Sequence, residues 1–583
     1  MATTMRTATD DQIGSSLEHH FAAALFDTAL PGEADDVDAA GASRIPRFVA
    51  AAAARRPAAT PVIVLEAIPT DATQVRRRLS LAIVNDNMPF LVDSVSLAIT
   101  AAGLRIERLL HPIVDVCRDA DGALIALLGV GSGEIPVGAT RESIIYIELE
   151  RAGARSRADL LAALDTVLID VRTAVADWPA MLATLHATTR LLGDNPPPIA
   201  PHAAAEAMAF LEWLAADRFT LLGVATARLN DDAEDPAPGG LGLCRTGLRA
   251  PDTSFPGSAL QRFLASPDPL LVTKSATTST VHRRVNPDMI VVKTFARDGR
   301  AVAVIRFLGL FTSEALATSP RAVPLLRRKV AGVIDTLGFD PKGHTGKALA
   351  HVIDAFPRDE LFETSPERLQ TMALGLLSLL DRPRPKLFAR AAAFGRFVSV
   401  LVYVPRDDYT SGVRARVGAM LAETLGGTLT RFEVELRAEG LARVHYVVAV
   451  LGDIGIIDEA ALDARLDALV RGWDDALERA LVDLTGAPRA ARLMLAHGDG
   501  FSTSYRAQYG AEEAAADLVA LSALVDERSR AVRLYRRADD LPNQLRLKIY
   551  RLGQIIALSD AVPVLENFGL RVIEARRSSP PRR

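Results

Sequence analysis

The sequence has few of the residues that characterise secreted, zinc-binding or membrane-spanning proteins. Its 583 residues include only two cysteines, Cys117 and Cys244, which cannot form a disulfide framework or a paired-cysteine zinc site. The apolar run over residues 397–404 is far shorter than the roughly 18 residues that a transmembrane helix needs. Acidic residues near the N-terminus interrupt the basic and apolar regions that a signal peptide requires. We therefore expect a cytoplasmic protein in a reducing compartment.

Neither sign of charge dominates the chain. Its 67 basic and 71 acidic residues give a net charge of −4, which removes the electrostatic argument for nucleic acid or an anionic membrane as a partner. Seven of the basic residues are lysines, but arginine replaces lysine freely on solvated surfaces, so we draw no function from this bias. A composition of 24% charged and 49% hydrophobic residues predicts globular domains, roughly three to five at about 150 residues each.

Several short stretches resemble functional motifs but fail their requirements. Residues 343–348 (GHTGKA) lack the first glycine and the magnesium-binding hydroxyl of a phosphate-binding loop. Residues 129–133 (GVGSG) have Glu134 where the third glycine of a dinucleotide loop belongs, and Ile135-Pro136 follow in place of a helix. This predicts a hairpin loop instead of a dinucleotide site. His344 and His351 could share a helix face, but no third metal ligand is suitably spaced. The sequence thus predicts no catalytic, cofactor-binding or metal-binding residue.

Residues 78–150 have the pattern of a small α+β unit. The stretch RRLSLAIVN predicts a buried strand, and a helix with apolar spacing from Phe90 to Ile99 follows and ends at Gly103. Further strands are predicted over 106–119, 123–131 and 141–150.

Helical and mixed segments follow this first unit. A helix is predicted over residues 156–191, and a mixed sheet flanked by helices is predicted between residues 201 and 390. One of its strand candidates is TSTVHRRV, residues 278–285. The order of strand, helix and two strands then returns over residues 394–484.

The same pattern begins a third time near residue 546. Residues 558–572 align without gaps to residues 92–106, and both stretches read as a helix that ends in Gly-Leu-Arg and an aliphatic residue. This predicts a structural repeat. After Glu574 the sequence has no apolar alternation with which to form another strand. We therefore expect the chain to be one end of a longer protein, or its reading frame to be lost near Ala575.

Five stretches occur together in one order along the chain. They are NDNMPFLVDS (85–94), RFLGLFTS (306–313), PLLRRKV (324–330), FPRDELF (356–362) and FGRFVS (394–399). In these stretches the chain resembles the large bacterial NAD-specific glutamate dehydrogenases, from about residue 78 to residue 574.

The resemblance implies an N-terminal regulatory region made of ACT-like sensor domains joined by helical motifs. The complete enzyme would oxidise L-glutamate to 2-oxoglutarate and ammonia with NAD, on a dehydrogenase domain in cis. None of the seven lysines lies in the Gly-rich segment that holds the family's catalytic lysine. We therefore expect this chain to bind no cofactor and to be inactive alone. The alternative, from another functional class, is a stand-alone amino-acid-sensing protein made of ACT-like modules.

The predicted fold class is α+β, a multidomain array of βαββ-type ACT-like units with a PAS-like or ACT-like middle unit, joined by helical segments. The predicted segments are an N-terminal helical segment (1–60), ACT-like domain 1 (61–150), a helical connector (151–200), the mixed middle region (201–390), ACT-like domain 2 (391–486), a second helical connector (487–545) and the truncated start of ACT-like domain 3 (546–583).

The candidate effector site lies where the first predicted strand of domain 1 meets the first helix. ACT-like units commonly bind amino acids at this position, and here Asn85, Asp86, Asn87 and Met88 follow the strand. Side-chain donors and acceptors beside free helix N–H groups suit an α-carboxylate. The alternative is that these residues only cap the helix. Because ACT-like sheets usually pair at an open edge, we also expect a homo-oligomer.

Overall fold

In a computed structural model, the chain forms two compact units. One unit comprises Met1–Arg328 with Pro357–Phe362, and the other comprises Lys329–Phe356 with Glu363–Arg583. The structure describes residues 10–68, 78–230, 233–245, 257–275, 277–392, 397–437, 440–450, 454–536, 540, 544–553, 556–569 and 571–572.

The first unit contains an antiparallel sheet with helices on both faces. Its strands run in the order β1-β2-β6-β4-β5, and β3 also pairs with β6. The elements from residue 10 to residue 194 are α1 (Asp10–Asp27), α2 (Ala39–Ala53), β1 (Val62–Ala67), β2 (Arg78–Asp86), α3 (Leu91–Ala101), β3 (Ile106–Leu110), β4 (Ile113–Arg118), β5 (Leu124–Val130), β6 (Thr140–Glu150) and α4 (Ala154–Asp194).

Strand β2 has a continuous apolar run from Leu81 to Val84 because both of its faces are covered. Leu81 and Ile83 lie in a core cluster with side chains of α3 and α4. Ala82 and Val84, which point to the opposite face, lie in a second cluster with side chains of α1 and α2. The predicted buried strand and the helix that ends at Gly103 are confirmed, and Gly103 has the left-handed φ of +75° typical of a helix C-terminus.

The strand predicted over residues 106–119 is interrupted at His111 and Pro112. Pro112 has no N–H group to donate to a sheet, although its carbonyl still accepts from Ile144 N at 3.0 Å. The chain therefore forms two shorter strands, β3 and β4, which pair with different halves of β6. The hairpin predicted after Asp119 is confirmed as β4-β5.

A second antiparallel sheet of the first unit follows α4. It has the strand order β10-β11-β12-β7-β8, with β9 also paired to β7. The elements from residue 201 to residue 381 are α5 (Pro201–Trp213), β7 (Phe219–Asn230), β8 (Ala233–Pro236), β9 (Leu241–Gly242), α6 (Gly257–Ala265), β10 (Leu270–Lys274), β11 (Asp288–Phe295), β12 (Ala301–Phe311), α7 (Ser313–Ala317), α8 (Leu326–Leu337), α9 (His344–Asp354), α10 (Arg358–Glu363) and α11 (Pro366–Asp381).

The strand predicted over residues 278–285 is wrong, because these residues form turns. The Ser279 hydroxyl accepts from Val281 N at 3.1 Å and donates to Val281 O at 2.9 Å, and Ser279 N donates to Val285 O. Such local side-chain hydrogen bonds compete with strand pairing. The turn nevertheless places Val281 in the core cluster of α3 and α4. Whether the middle region is PAS-like or ACT-like stays a prediction.

Helix α4 belongs to the core of the first unit. Leu160, Leu164, Leu168 and Val171 are almost fully buried, in the same cluster as residues of the first sheet. That cluster also contains Leu222, Leu243 and Leu310, from the strands and turns of the second sheet. The segment predicted as a connector is therefore a shared core element of both sheets.

The second unit repeats the arrangement of a sheet between helices. Its sheet has the order β13-β14-β16-β15, and side chains of α12 and α13 cover one face. On the other face, a Cβ added to Gly375 of α11 would come within 2.9 Å of the Phe388 ring. The elements from residue 386 are β13 (Lys386–Ala391), β14 (Phe397–Pro405), α12 (Ser411–Thr424), β15 (Gly427–Leu436), β16 (Leu441–Val450), α13 (Glu459–Thr485), α14 (Ala487–His497), α15 (Thr503–Gln508), α16 (Ala511–Ser522), β17 (Arg530–Tyr535), β18 (Arg546–Arg551) and α17 (Leu558–Asn567).

The third occurrence of the strand-helix pattern, which begins near residue 546, is joined to α16 by ion pairs. Strand β17, which lies within the predicted helical connector, pairs with β18. Lys548 Nζ of β18 lies 2.5 Å from Asp517 and 2.7 Å from Glu513. Helix α17 and the φ of +77° at Gly569 match α3 and Gly103 at the aligned positions. The match supports the predicted repeat.

A first prediction concerns His111, whose Nε2 lies 2.8 Å from the Ser143 hydroxyl. Burial lowers the pKa of His111, so the unfolded chain takes up this proton at a higher pH than the folded chain. The stability that the folded chain gains by keeping His111 neutral is complete above the unfolded pKa of about 6.5. It is lost as the pH falls through the folded pKa. His111→Gln should therefore show a smaller drop in thermal midpoint than the native chain from about pH 7.5 to about pH 5.5. An equal drop in both proteins would contradict the burial argument.

Candidate functional site

The candidate effector residues lie at the end of β2. Asn85 and Asp86 are the last two residues of the strand, and helix α3 begins only at Leu91. The residue before the helix is Phe90, with a left-handed φ of +71° and no side-chain capping bond. The four candidate residues therefore lie at the junction of β2 and α3, as expected, but the alternative that they cap the helix is wrong. Asn87 N instead donates to Arg141 O at 3.0 Å, which keeps the chain beside β6.

One arginine of α4 contacts both Asn85 and Asp86. The Arg172 guanidinium donates from Nη2 to Asn85 Oδ1 and from Nη1 to Asp86 Oδ2, the latter at 2.6 Å. Arg56 donates to the other oxygen of Asp86 at 2.6 Å. Burial opposes ionisation of Asp86, but the hydrogen bonds from Arg172 and Arg56 outweigh it, so the pKa of this carboxyl is lowered. Asp86 is therefore a fixed anion at neutral pH.

Behind Asp86 lies a buried carboxylate, Glu142 of β6. Asp86 and Glu142 are direct cross-strand neighbours, a placement in which like charges repel. Arg56, 3% exposed, bridges them with contacts of 2.6 and 2.8 Å. Arg118 of β4 donates to both oxygens of Glu142, at 2.7 and 2.8 Å. The arginines therefore neutralise two acids that the sheet register forces together.

The cluster has an excess of positive charge and a buried donor without a partner. Its guanidinium groups are those of Arg56, Arg118 and Arg172, and its carboxylates are those of Asp86 and Glu142. Within the part of the chain that the structure describes, Asn85 Nδ2 has no hydrogen-bond partner although the residue is fully buried. A buried donor left unpaired is costly. The cluster therefore has the chemistry to accept one more anionic group.

The remaining two candidate residues lie further out. Asn87 is exposed, and Met88 is half-buried and packs against the core cluster of α3 and α4. The sequence did not reveal Arg56, Arg118, Arg172 or Glu142. These residues are scattered along the chain, and only the register of β2 with β6 and the packing of α4 bring them together.

The corresponding junction of the second unit has a different structure. Strand β14 ends at Pro405, and the Thr410 side chain caps α12 by accepting from Val413 N at 3.0 Å. Helix α3 has no such side-chain cap. Within the described ranges, no group of three or more His, Cys, Asp or Glu residues could hold a metal ion. Nor is any helix of those ranges long and apolar enough to cross a bilayer.

Five family models match the chain in one order. They are the glutamate dehydrogenase ACT1 domain (21–164), helical motif 1 (323–382), the ACT2 domain (386–474), helical motif 2 (480–524) and the ACT3 domain (529–579). Over these ACT domains and helical motifs, the chain belongs to the glutamate dehydrogenase family. The first sheet, with α1 to α3, corresponds to ACT1. The four-stranded sheet β13-β14-β16-β15 of the second unit corresponds to ACT2. The second sheet of the first unit lies between the matched ranges.

Whole-chain comparison agrees with the family models. The chain is 34% identical over 507 residues to the NAD-specific glutamate dehydrogenase of Halomonas elongata, and 32% identical over 504 residues to that of Pseudomonas aeruginosa. It is 28% identical over 522 residues to that of Mycobacterium tuberculosis. These matches cover 85%, 85% and 86% of this chain but 31% of each relative. The chain thus spans about a third of the length of these curated relatives.

The second prediction concerns the buried carboxylate of ACT1. Glu142→Gln should lower the free energy of unfolding by about 3 kcal/mol or more, because buried guanidiniums lose their counter-charge. Glu107→Gln is the matched control, because Glu107 pairs at 2.9 Å with Arg105, whose side chain is 63% exposed. The control should cost about 1 kcal/mol or less. Urea denaturation measures both, and equal costs would show that the buried cluster has no special stabilising role.

Proposed function

We propose that this chain is the N-terminal regulatory and assembly region of an NAD-dependent glutamate dehydrogenase. The complete enzyme would convert L-glutamate, NAD and water to 2-oxoglutarate, ammonia and NADH, with a catalytic domain in cis outside this chain. The main support is that ACT1, ACT2, ACT3 and both helical motifs match in order. The match covers most of this chain but only 31% of the relatives.

In this proposal NAD binds elsewhere in the complete enzyme. The glycine-rich stretch 129–133 leads from β5 into the connection before β6, and no helix N-terminus follows it to receive a pyrophosphate. Lys293 is buried in β11 with its amine on the carbonyls of Phe263 and Ser266. The contacts of this lysine are therefore those of a structural residue and not of a catalytic one.

The third prediction follows from this assignment. The purified chain should produce no NADH from L-glutamate and NAD, whereas a full-length relative assayed in parallel should. The measurement is the absorbance of NADH in a preparation freed of host dehydrogenase. Turnover by the chain itself would overturn the placement of catalysis outside it.

The regulatory role is proposed to be amino-acid binding at the end of β2 in ACT1. The amide Nδ2 of Asn85 and the partly exposed guanidinium of Arg172 would donate hydrogen bonds to an α-carboxylate, and the excess of positive charge in the cluster favours such an anion. Asp86, held ionised by its arginines, and the exposed Asn87 would receive the α-ammonium group. Met88 would line the apolar side.

The fourth prediction tests that location. In calorimetry with a panel of amino acids, Asn85→Ala combined with Asn87→Ala should weaken binding of the effector about tenfold or more. Arg172→Lys, which keeps the charge but loses the two-pronged contact, should also weaken it. Asn195→Ala combined with Asn230→Ala removes two asparagines elsewhere in the same unit and should leave affinity unchanged. Native affinity in the Asn85/Asn87 variant would reject the site.

The remaining assignments concern partners and location. The proposed partners are a second copy of the chain, an amino-acid effector and the catalytic domain in cis. Nucleic acid and membranes are not proposed as partners, because the charges are balanced. The proposed location is the cytoplasm.

A further inference from the structure

The two edge strands of the ACT2 sheet differ in what covers them. At one edge, β13 is closed by carboxylates of α13. Leu387 N donates to Asp463 at 2.9 Å, and Ala389 N donates to Glu459 at 2.6 Å. These bonds satisfy N–H groups that would otherwise offer a site for another strand. Strand addition is therefore blocked at β13.

At the other edge, β15 is open over the residues that the structure describes. Arg437 N donates to Leu441 O of β16. In an antiparallel pair, every second residue counted back from Arg437 therefore forms backbone hydrogen bonds with β16, and the residues between them direct their N–H and C=O groups away from β16. The outward residues are Phe432, Val434 and Leu436, in register with β16. Their side chains are 43%, 41% and 54% exposed. Strand β15 thus combines an unpaired backbone edge with an exposed apolar stripe.

The edge strand of ACT1 has the usual protection of an edge. Strand β5 also exposes apolar side chains, but its pairing with β4 shifts register at two places. Bulges of this kind twist an edge away from further pairing. In β15 the only shift among the described pairs lies between Leu429 and Arg431, and pairing is regular from there to Leu436. The stretch from Arg431 to Leu436 is therefore regular enough to accept another strand.

The charges of β15 indicate which strand it would accept. Arg431 and Glu433 alternate with the apolar residues, lie 3.5 Å apart and are 22% and 61% exposed. Each can serve as the counter-charge of the other in an antiparallel copy. We propose that β15 pairs with β15 of a second copy of this chain, with Phe432 opposite Phe432. This inference specifies the interface of the self-association proposed above and rests on it.

Charge selects this register over its neighbours. A two-fold axis normal to the sheet relates the two antiparallel β15 strands and keeps each face of the joined sheet continuous. One residue of β15 must then lie directly opposite the same residue of the second copy. Centring on Phe432 sets Arg431 opposite Glu433 twice. Centring on Glu433 sets that carboxylate against itself, and centring on Val434 sets Arg431 against Arg437 and Glu433 against Glu435. Of these three registers, only the first avoids like-charge pairs.

The fifth prediction uses charge exchange in the full chain, measured by sedimentation. Arg431→Glu and Glu433→Arg should each raise the dissociation constant of the dimer about 30-fold, because two attractive pairs become repulsive. An equal mixture of the two single variants should associate like the native chain, because every cross-strand pair is again opposite in charge. The double variant should also associate natively. Val434→Lys should weaken association through the apolar stripe.

The control mixture is Arg105→Glu with Glu107→Arg, which makes the same charge changes at an exposed pair of ACT1. Neither control variant nor their mixture should change association. A native chain that is monomeric would overturn both the proposed self-association and the interface. A native chain that associates, with single variants that associate equally well or a mixture that is not restored, would overturn the β15 interface alone. Circular dichroism identifies a single variant that fails to fold, and in that case association of the double variant decides.

Discussion

The packing of α4 determines much of the first unit. Leu160, Leu164, Leu168 and Val171 are 1% exposed or less, in a cluster that also contains residues of both sheets. Each such side chain contributes about 1.5–3 kcal/mol by leaving water. This burial fixes the rotation of the helix, and the rotation in turn decides where its polar side chains emerge. Arg172 emerges beside the end of β2, and Asp177, five residues further along, accepts from Gly242 N at 2.7 Å in the second sheet.

The charges at the end of β2 add specificity to this packing. Asp86 faces Glu142 only in the observed register, and Arg56 bridges the two carboxylates in that register. A slip of one residue would turn β2 over and place its charges among apolar side chains. The buried ion pairs thus specify strand alignment, while the apolar side chains supply most of the stabilisation. Because strands β2, β4 and β6 and helix α4 all contribute, a change at any one of them reaches the candidate effector site.

Local sequence pattern predicted the elements that local interactions determine. The strand β2, the helix α3 and the left-handed Gly103 follow from apolar spacing and a helix-ending glycine, and the repeat at α17 and Gly569 was found in the same way. Residues 278–285 were mispredicted as a strand, whereas local hydrogen bonds of Ser279 form a turn there. For the site, Asn85 and Asp86 could be selected from the sequence, but Arg172 could not. Its place depends on long-range packing, which leaves no signal at residue spacings of three or four.

The carboxylates of Glu459 and Asp463 that close β13 also limit how large an assembly can become. A sheet with two open edges can add copies without end and grow into a fibre. Here one edge is already occupied by side chains of the same molecule, so a copy that docks through β15 presents only a closed edge to the next. Edge pairing through ACT2 is therefore self-terminating at two chains.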